Sequence, residues 1–148
     1  MDAQLQAELN AAIATLNYIG KEAKRGAKKD LREAAGVIVS ASKGAVPVGE
    51  KAHSRYSNGK VVAIYRPGNL KRSIRILPLR RAKQSVLVGP LARGGTPDGF
   101  YGRFLEFGTK YIAPAGFMAR AAAASGAIAQ RIAVELLKRR VLQYSNRV

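Results

Sequence analysis

Two stretches in the second half of the chain decide its fold: Pro67-Gly68-Asn69-Leu70-Lys71-Arg72-Ser73-Ile74 and Tyr101-Gly102-Arg103-Phe104-Leu105-Glu106-Phe107-Gly108-Thr109. The first predicts a turn followed by one helical turn, for which Asn69 is a candidate N-terminal cap. The second predicts a strand over 101–107, because its residue types alternate. Its two faces would be Tyr101, Arg103, Leu105 and Phe107 on one side and Phe104 with Glu106 on the other.

The region around these stretches has the pattern of a small antiparallel sheet. A strand pair is predicted for 74–79 and 84–89, joined through Arg80-Arg81-Ala82-Lys83. Upstream, Ser57-Asn58-Gly59 is a turn signal between 52–56 and 60–65. These segments predict a sheet with a hairpin arm.

Long helices are predicted on both sides of the sheet. Small and apolar residues recur every three or four positions from Leu5 to Ile38, which is typical of one buried helical stripe, and Pro47 ends the pattern. A second helix runs from Phe117 to about residue 142, with an apolar stripe of Met118, Ala121, Ala124, Ile128, Ile132, Leu136 and Val141. We interpret Lys138, Arg139 and Arg140 in its last turns as complementing the helix dipole.

The predicted fold is therefore α+β in a single domain over 1–148. It comprises a long N-terminal helix (1–44), a hairpin arm (45–67), a small antiparallel sheet (68–109) and a C-terminal helix packed on the sheet (117–144).

Charge is the most pronounced bulk property of the 148-residue chain: 26 Lys and Arg oppose nine Asp and Glu, for a net charge of +17. Such a balance indicates a polyanionic partner, nucleic acid above all, whereas a generic basic surface or an acidic protein partner is the alternative. The charge is concentrated in two places. The first is a ridge on the N-terminal helix, formed by Lys21, Lys24, Arg25, Lys28, Lys29 and Arg32. The second lies in the middle region, which has no acidic residue between Glu50 and Asp98. Its candidate residues are Arg66, Lys71, Arg72, Arg75, Arg80, Arg81 and Lys83.

Residues able to support catalysis are scarce. His53 is the only histidine, cysteine is absent, and no phosphate-binding loop or nucleophile elbow is present. We predict no enzyme activity, no metal and no cofactor. No apolar run approaches the about 18 residues of a membrane span, so no membrane partner is expected.

Several pieces of the sequence together resemble the neck or tail-completion proteins of long-tailed bacteriophages, which join head to tail. The pieces are Gly68-x-Leu70-x-x-Ser73-Ile74, a valine-rich strand ending at Gly89, and Phe104-x-Glu106-Phe107-Gly108-Thr109 followed by Pro114 and Phe117. Their order and spacing carry the resemblance over about residues 20–125. The chain has Ala115-Gly116 where the family commonly has Arg-Pro.

The resemblance implies a structural virion protein, made in the host cytoplasm, that forms a six- or twelve-fold ring at the head–tail junction. Its expected partners are further copies of itself, the head connector, the tail tube or tail terminator, and packaged double-stranded DNA bound without sequence preference. The alternative from another class is a free, sequence-nonspecific nucleic-acid-binding protein. Two family residues have expected structural roles. Glu106 is expected in a buried ion pair, within the subunit or across a subunit boundary, with Arg72, Arg75 or Arg103 as candidate partners, and a carboxylate on a solvated strand face is the alternative. Gly108 is expected in a backbone conformation closed to other residues.

Overall fold

The computed structural model describes residues 3–77, 85–92 and 97–146. The elements are α1 (Ala3–Ala45), β1 (His53–Ser57), β2 (Lys60–Tyr65), α2 (Asn69–Ser73), β3 (Ile74–Leu77), β4 (Leu87–Pro90), α3 (Gly102–Phe107) and α4 (Phe117–Ser145). The strands form two separate antiparallel pairs, β1–β2 and β3–β4. This architecture confirms the predicted α+β class with a long helix at each end of the chain. None of the described helices is long and apolar enough to cross a lipid bilayer.

The two long helices pack against each other in opposite directions. Arg140, near the end of α4, bonds to Asp30 in the middle of α1, whereas Phe117 at the start of α4 packs on Val46, just beyond the end of α1. Small residues line the contact between the two helices. They are Ala34 and Ala35 on α1, and Ala121, Ser125, Ala129 and Ala133 on α4.

The apolar stripe predicted for α4 is partly wrong. Ala121 is buried as predicted, but Ala124 is exposed and the larger Ile128 and Val141 are about half exposed. The buried line instead continues through small residues, because the distance between two packed helices depends on the size of the side chains between them. A prediction from hydropathy alone therefore placed part of the buried stripe on a neighbouring side of α4.

A small apolar core connects the helices with the β3–β4 sheet. Val46, Leu70, Ile74 and Phe117 are its buried members. Partly buried residues from α1, β4, α3 and α4 surround them: Val39, Ala45, Val88, Tyr101, Leu105 and Met118. The first turn of α4 is thereby packed against the sheet, as predicted.

The hairpin and the strand pair form as their turn and strand signals predict. Asn58 and Gly59 both have positive φ, 49° and 74°, as a two-residue turn between twisted strands requires. In the other pair, Ile74 lies opposite Pro90 and Leu77 opposite Leu87. The segment predicted to join this pair, which contains Arg80, Arg81 and Lys83, lies outside the described residues.

The strand predicted over 101–107 is wrong, because residues 102–107 form the short helix α3. The amides of Phe104 and Leu105 both donate to the Tyr101 carbonyl, at 3.0 and 3.3 Å, so the backbone bonds are local. A run this short does not distinguish strand from helix by its periodicity. At the start of α3, Gly102 lies so close to Leu70 and Pro90 that a Cβ would meet them at 2.9 and 3.0 Å.

Candidate functional site

Several of the residues that carry the phage resemblance lie at the centre of the fold. Leu70, Ile74 and Phe117 are core residues, and the buried Ser73 hydroxyl donates to the Leu70 carbonyl at 2.7 Å. Gly68, with φ of 74°, is the N-terminal cap residue of α2. These positions therefore build the scaffold, and the exposed side chains between them are free to meet a partner.

Asn69 is not the helix cap that the sequence predicted. Its buried side chain clasps the backbone of Asp98: Nδ2 donates to the Asp98 carbonyl at 2.6 Å, and Oδ1 accepts from the Asp98 amide at 3.2 Å. The Asp98 carboxylate in turn accepts from the Tyr65 hydroxyl at 2.9 Å and from the Phe100 amide at 3.1 Å. This network joins α2 to the loop before α3.

Arg55 extends the network to the hairpin arm. Its guanidinium lies 3.7 Å from the Asp98 carboxylate, 4.5 Å from the centre of the Phe100 ring and within 3.4 Å of the Tyr65 hydroxyl. The hydrogen bond to Tyr65 is the main cause that raises the pKa of Arg55. The base of the hairpin is thereby held to the core. No local pattern predicts this link, since Asp98 and Arg55 are 43 positions apart.

Glu106 caps α4 and forms no ion pair within the described part of the subunit. Its two carboxylate oxygens accept from the amides of Met118 and Ala119 at 2.8 and 3.0 Å. Two of the candidate partners have other contacts: Arg72 donates to the Pro67 carbonyl at 3.0 Å, and Arg103 lies 4.7 Å from the centre of the Phe104 ring. The predicted ion pair across a subunit boundary stays a prediction. A carboxylate at a helix N-terminus satisfies free amides and complements the dipole.

Replacing Glu106 by alanine is expected to lower the free energy of unfolding by about 1 kcal/mol, because two amides of α4 lose their acceptor. Urea denaturation followed by circular dichroism measures the loss. Glu33→Ala is the matched control, since Glu33 is exposed on α1. Equal stability of the two variants would contradict the capping role.

The turn between α3 and α4 depends on Gly108 and Pro114. Gly108 has φ of 77°, and a Cβ there would meet the Ile112 carbonyl oxygen at 2.8 Å and Pro114 at 3.0 Å. The turn closes when the Thr109 amide donates to the Ile112 carbonyl at 2.8 Å. The predicted conformational role of Gly108 is confirmed. The turn also leaves Phe107 and Tyr111 largely exposed.

An ion pair that the sequence analysis missed joins the two long helices. Arg140 donates from Nε and Nη2 to the two oxygens of Asp30 at 2.6 and 2.5 Å, and both side chains are largely buried. A Cβ at Gly26 would overlap the Arg140 side chain, so the glycine makes room for the pair. Arg140 therefore joins α4 to α1, in addition to the predicted complementing of the α4 dipole. Lys138 is exposed and lies 3.3 Å from Glu135.

Acid is expected to weaken the fold through Asp30. The Arg140 guanidinium, chiefly by its hydrogen bonds, holds the pKa of Asp30 below its usual value. A carboxylate with a depressed pKa stabilises the fold fully above the unfolded-state pKa of about 4 and loses that contribution as pH falls through the folded-state pKa. The free energy of unfolding of the wild type should therefore decline more between about pH 5 and pH 2 than that of Asp30→Asn. Parallel pH profiles would contradict this prediction.

The predicted helical ridge is open to solvent. Lys21, Lys24, Arg25, Lys29 and Arg32 are exposed and Lys28 is half-buried. Of the two acids that interrupt the ridge in sequence, Asp30 points into the α1–α4 contact, and Glu22 lies 3.7 Å from Arg25. The outer surface of this part of α1 is consequently more basic than its sequence suggests.

The second basic group is partly described. Arg66, Lys71, Arg72 and Arg75 are exposed, whereas Arg80, Arg81 and Lys83 lie outside the described residues. Arg66 and Arg72 line one polar depression of about 420 Å³ together with Ile64 and Asn69. The structure thus brings two of these cations together at the junction of β2 and α2.

No cluster of three or more His, Asp or Glu side chains in the part of the chain that the structure describes has metal-binding geometry. His53 is exposed at the start of β1. What the arrangement offers is basic surface on the folded scaffold.

Comparison with known families identifies the scaffold. A family model described as "Bacteriophage HK97-gp10, putative tail-component" matches residues 10–108, about two thirds of the chain. The match covers most of α1, both strand pairs and α3. No curated protein and no solved structure matches the chain.

Proposed function

The chain belongs to the HK97-gp10-like family of bacteriophage tail components, and from this premise we propose that it is a structural subunit of the head–tail junction. In this proposal copies of the chain form a closed ring between the head connector and the tail. The observation that carries it is the combination of family membership with the exposed basic surface of α1.

The ring places the basic surfaces against DNA or against acidic neighbouring rings. Lys and Arg side chains contact phosphates without reading base sequence, so a passage lined by the α1 ridge would hold any packaged genome. The net charge of +17 favours a polyanionic partner such as DNA. We infer nonspecific electrostatic contact with double-stranded DNA as the function of the ridge.

Ring formation needs two different surfaces on each subunit that fit each other, since head-to-tail contacts can close into a ring. The exposed apolar side chains supply such surfaces in the described residues. They lie on α1, on the hairpin and on the turn after α3, and include Leu16, Tyr56, Ile64, Phe107 and Tyr111.

Light scattering of the purified protein tests the proposal. A discrete ring mass that persists at high salt and without DNA would support a junction subunit. A monomer or dimer that collects on duplex DNA at low salt would instead support the free nucleic-acid-binding protein and overturn the ring.

The role of the ridge makes a separate prediction. Replacing Lys21, Lys24 and Lys29 by glutamine should weaken binding to duplex DNA and reduce the slope of log affinity against log salt by about 0.9 for each phosphate that is no longer neutralised. The same change at Lys51, Lys60 and Lys110, which are exposed outside the ridge, is the control. If both triple variants bind DNA with equally reduced affinity, the ridge has no special role.

A further inference from the structure

The N-terminal part of α1 has no cover from the rest of the described chain. Arg140 meets Asp30 and Gly26, and α4 ends five residues later at Ser145. At 1.5 Å per residue in both helices, α4 ends beside about residues 21–25 of α1. Residues 3–20, here called the arm, therefore extend about 27 Å beyond the helix pair.

The arm continues the face of α1 that α4 covers further along. Leu9 and Leu16 lie on the same helical line as the buried Asp30 and Ala34, because spacings of three, four and seven residues return to one side of a helix. Leu9 is 48% exposed and Leu16 69% exposed. A stripe that is buried downstream is thus left open in the arm.

The arm differs in charge from the rest of the molecule. All 26 Lys and Arg lie after residue 20, whereas residues 3–20 contain one acid, Glu8, and no Lys or Arg. Two copies of a strongly basic chain repel each other over most of their surfaces. The arm is the segment that can approach another copy without this cost.

A fitting surface exists on the outer side of α4. Val134, Val141 and Leu142 are exposed there, and the cations Arg131 and Lys138 lie between them on the side opposite the α1 contact. Lys138 lies 3.3 Å from Glu135, which leaves Arg131 as the unbalanced cation of this apolar surface. The arm is apolar with one acid, Glu8. Such complementarity favours one register and orientation of the contact.

We propose that the arm of one subunit packs on the outer face of α4 of a second copy. The contact joins two different surfaces of the same chain, so it is head-to-tail and can close into a ring. Each subunit then packs its own arm on one neighbour and binds the arm of the other neighbour on its α4. The inference rests on the proposed ring and identifies the segments that would build it.

Polar substitution in the full chain tests the contact. Leu9→Gln with Leu16→Gln should weaken self-association about tenfold per leucine, while Ala11→Gln with Ala14→Gln, on the opposite side of the arm, should leave the oligomer mass unchanged. Analytical ultracentrifugation over a concentration series measures both. Glutamine is a good helix former, so α1 is retained. Unchanged association of the leucine variant would overturn the arm contact.

Cross-linking locates the receiving face, since the chain has no cysteine of its own. A thiol-linked photoprobe on Leu16→Cys should give covalent dimers whose second attachment lies in 131–142, and the same probe on Ala14→Cys should not. Dimers joined at the hairpin would overturn α4 as the receiver. A ring that yields no cross-linked dimer overturns the arm contact but leaves the ring itself standing, and a monomeric wild type overturns both.

Discussion

Replacing Arg140 by alanine is expected to lower the free energy of unfolding by about 3–5 kcal/mol, the range for removing one partner of a buried ion pair. The variant leaves the Asp30 carboxylate buried in the α1–α4 contact without its two hydrogen bonds. Desolvation of the unpaired charge then acts against the folded state. Chemical denaturation at neutral pH measures the loss.

Arg139→Ala is the matched control, because Arg139 is exposed and takes part in no ion pair among the described residues. Its effect should stay within about 0.5 kcal/mol. The double variant Asp30→Asn with Arg140→Ala closes a mutant cycle and should recover part of the loss. If Arg140→Ala were as stable as Arg139→Ala, the pair would not hold the helices together.

Replacing Phe117 by alanine is expected to lower the free energy of unfolding by about 3–5 kcal/mol, because the change removes a fully buried aromatic ring and leaves a cavity. The ring packs with Val46, Leu70 and Ile74, which come from separate parts of the chain. Its removal should loosen the first turn of α4 and the sheet together. Thermal and urea unfolding monitored by circular dichroism measure the change.

Phe107→Ala makes the same chemical change on the surface, where Phe107 is 80% exposed. The free energy of unfolding of this variant should remain within about 0.5 kcal/mol of the wild type. A comparable loss for both phenylalanines would place the core elsewhere. If Phe107 contributes to ring formation, its substitution should instead lower the oligomer mass.

Local sequence signals predicted much of the fold. The stripe from Leu5 to Ile38 predicted α1, and Asn58-Gly59 predicted the hairpin, because helix periodicity and turn chemistry depend on neighbours in the chain. The strand predicted over 101–107 was wrong because the neighbours in the chain do not decide between strand and helix in this run. A run this short, with apolar and charged residues mixed, suits either backbone.

For the candidate site, the sequence identified structurally important residues more successfully than it predicted their individual roles. Leu70, Ile74 and Phe117 were identified from the resemblance and lie in the core. Glu106 was identified as structural, but its role is to cap α4. Helix capping across 12 positions requires α3 to approach the start of α4, which no local pattern encodes. Whether the basic ridge meets DNA stays a prediction.

The sequence by itself determined the α+β class, the two long helices, the hairpin and the phage family, since each rests on local periodicity, turn residues or an ordered set of motifs. Tertiary structure alone decided the small-residue contact between α1 and α4, the pairing of Asp30 with Arg140 and the joining of Arg55 to Asp98. The two charged pairs unite residues 110 and 43 positions apart. Their geometry follows from how closely packed elements approach, and that distance depends on every side chain between them.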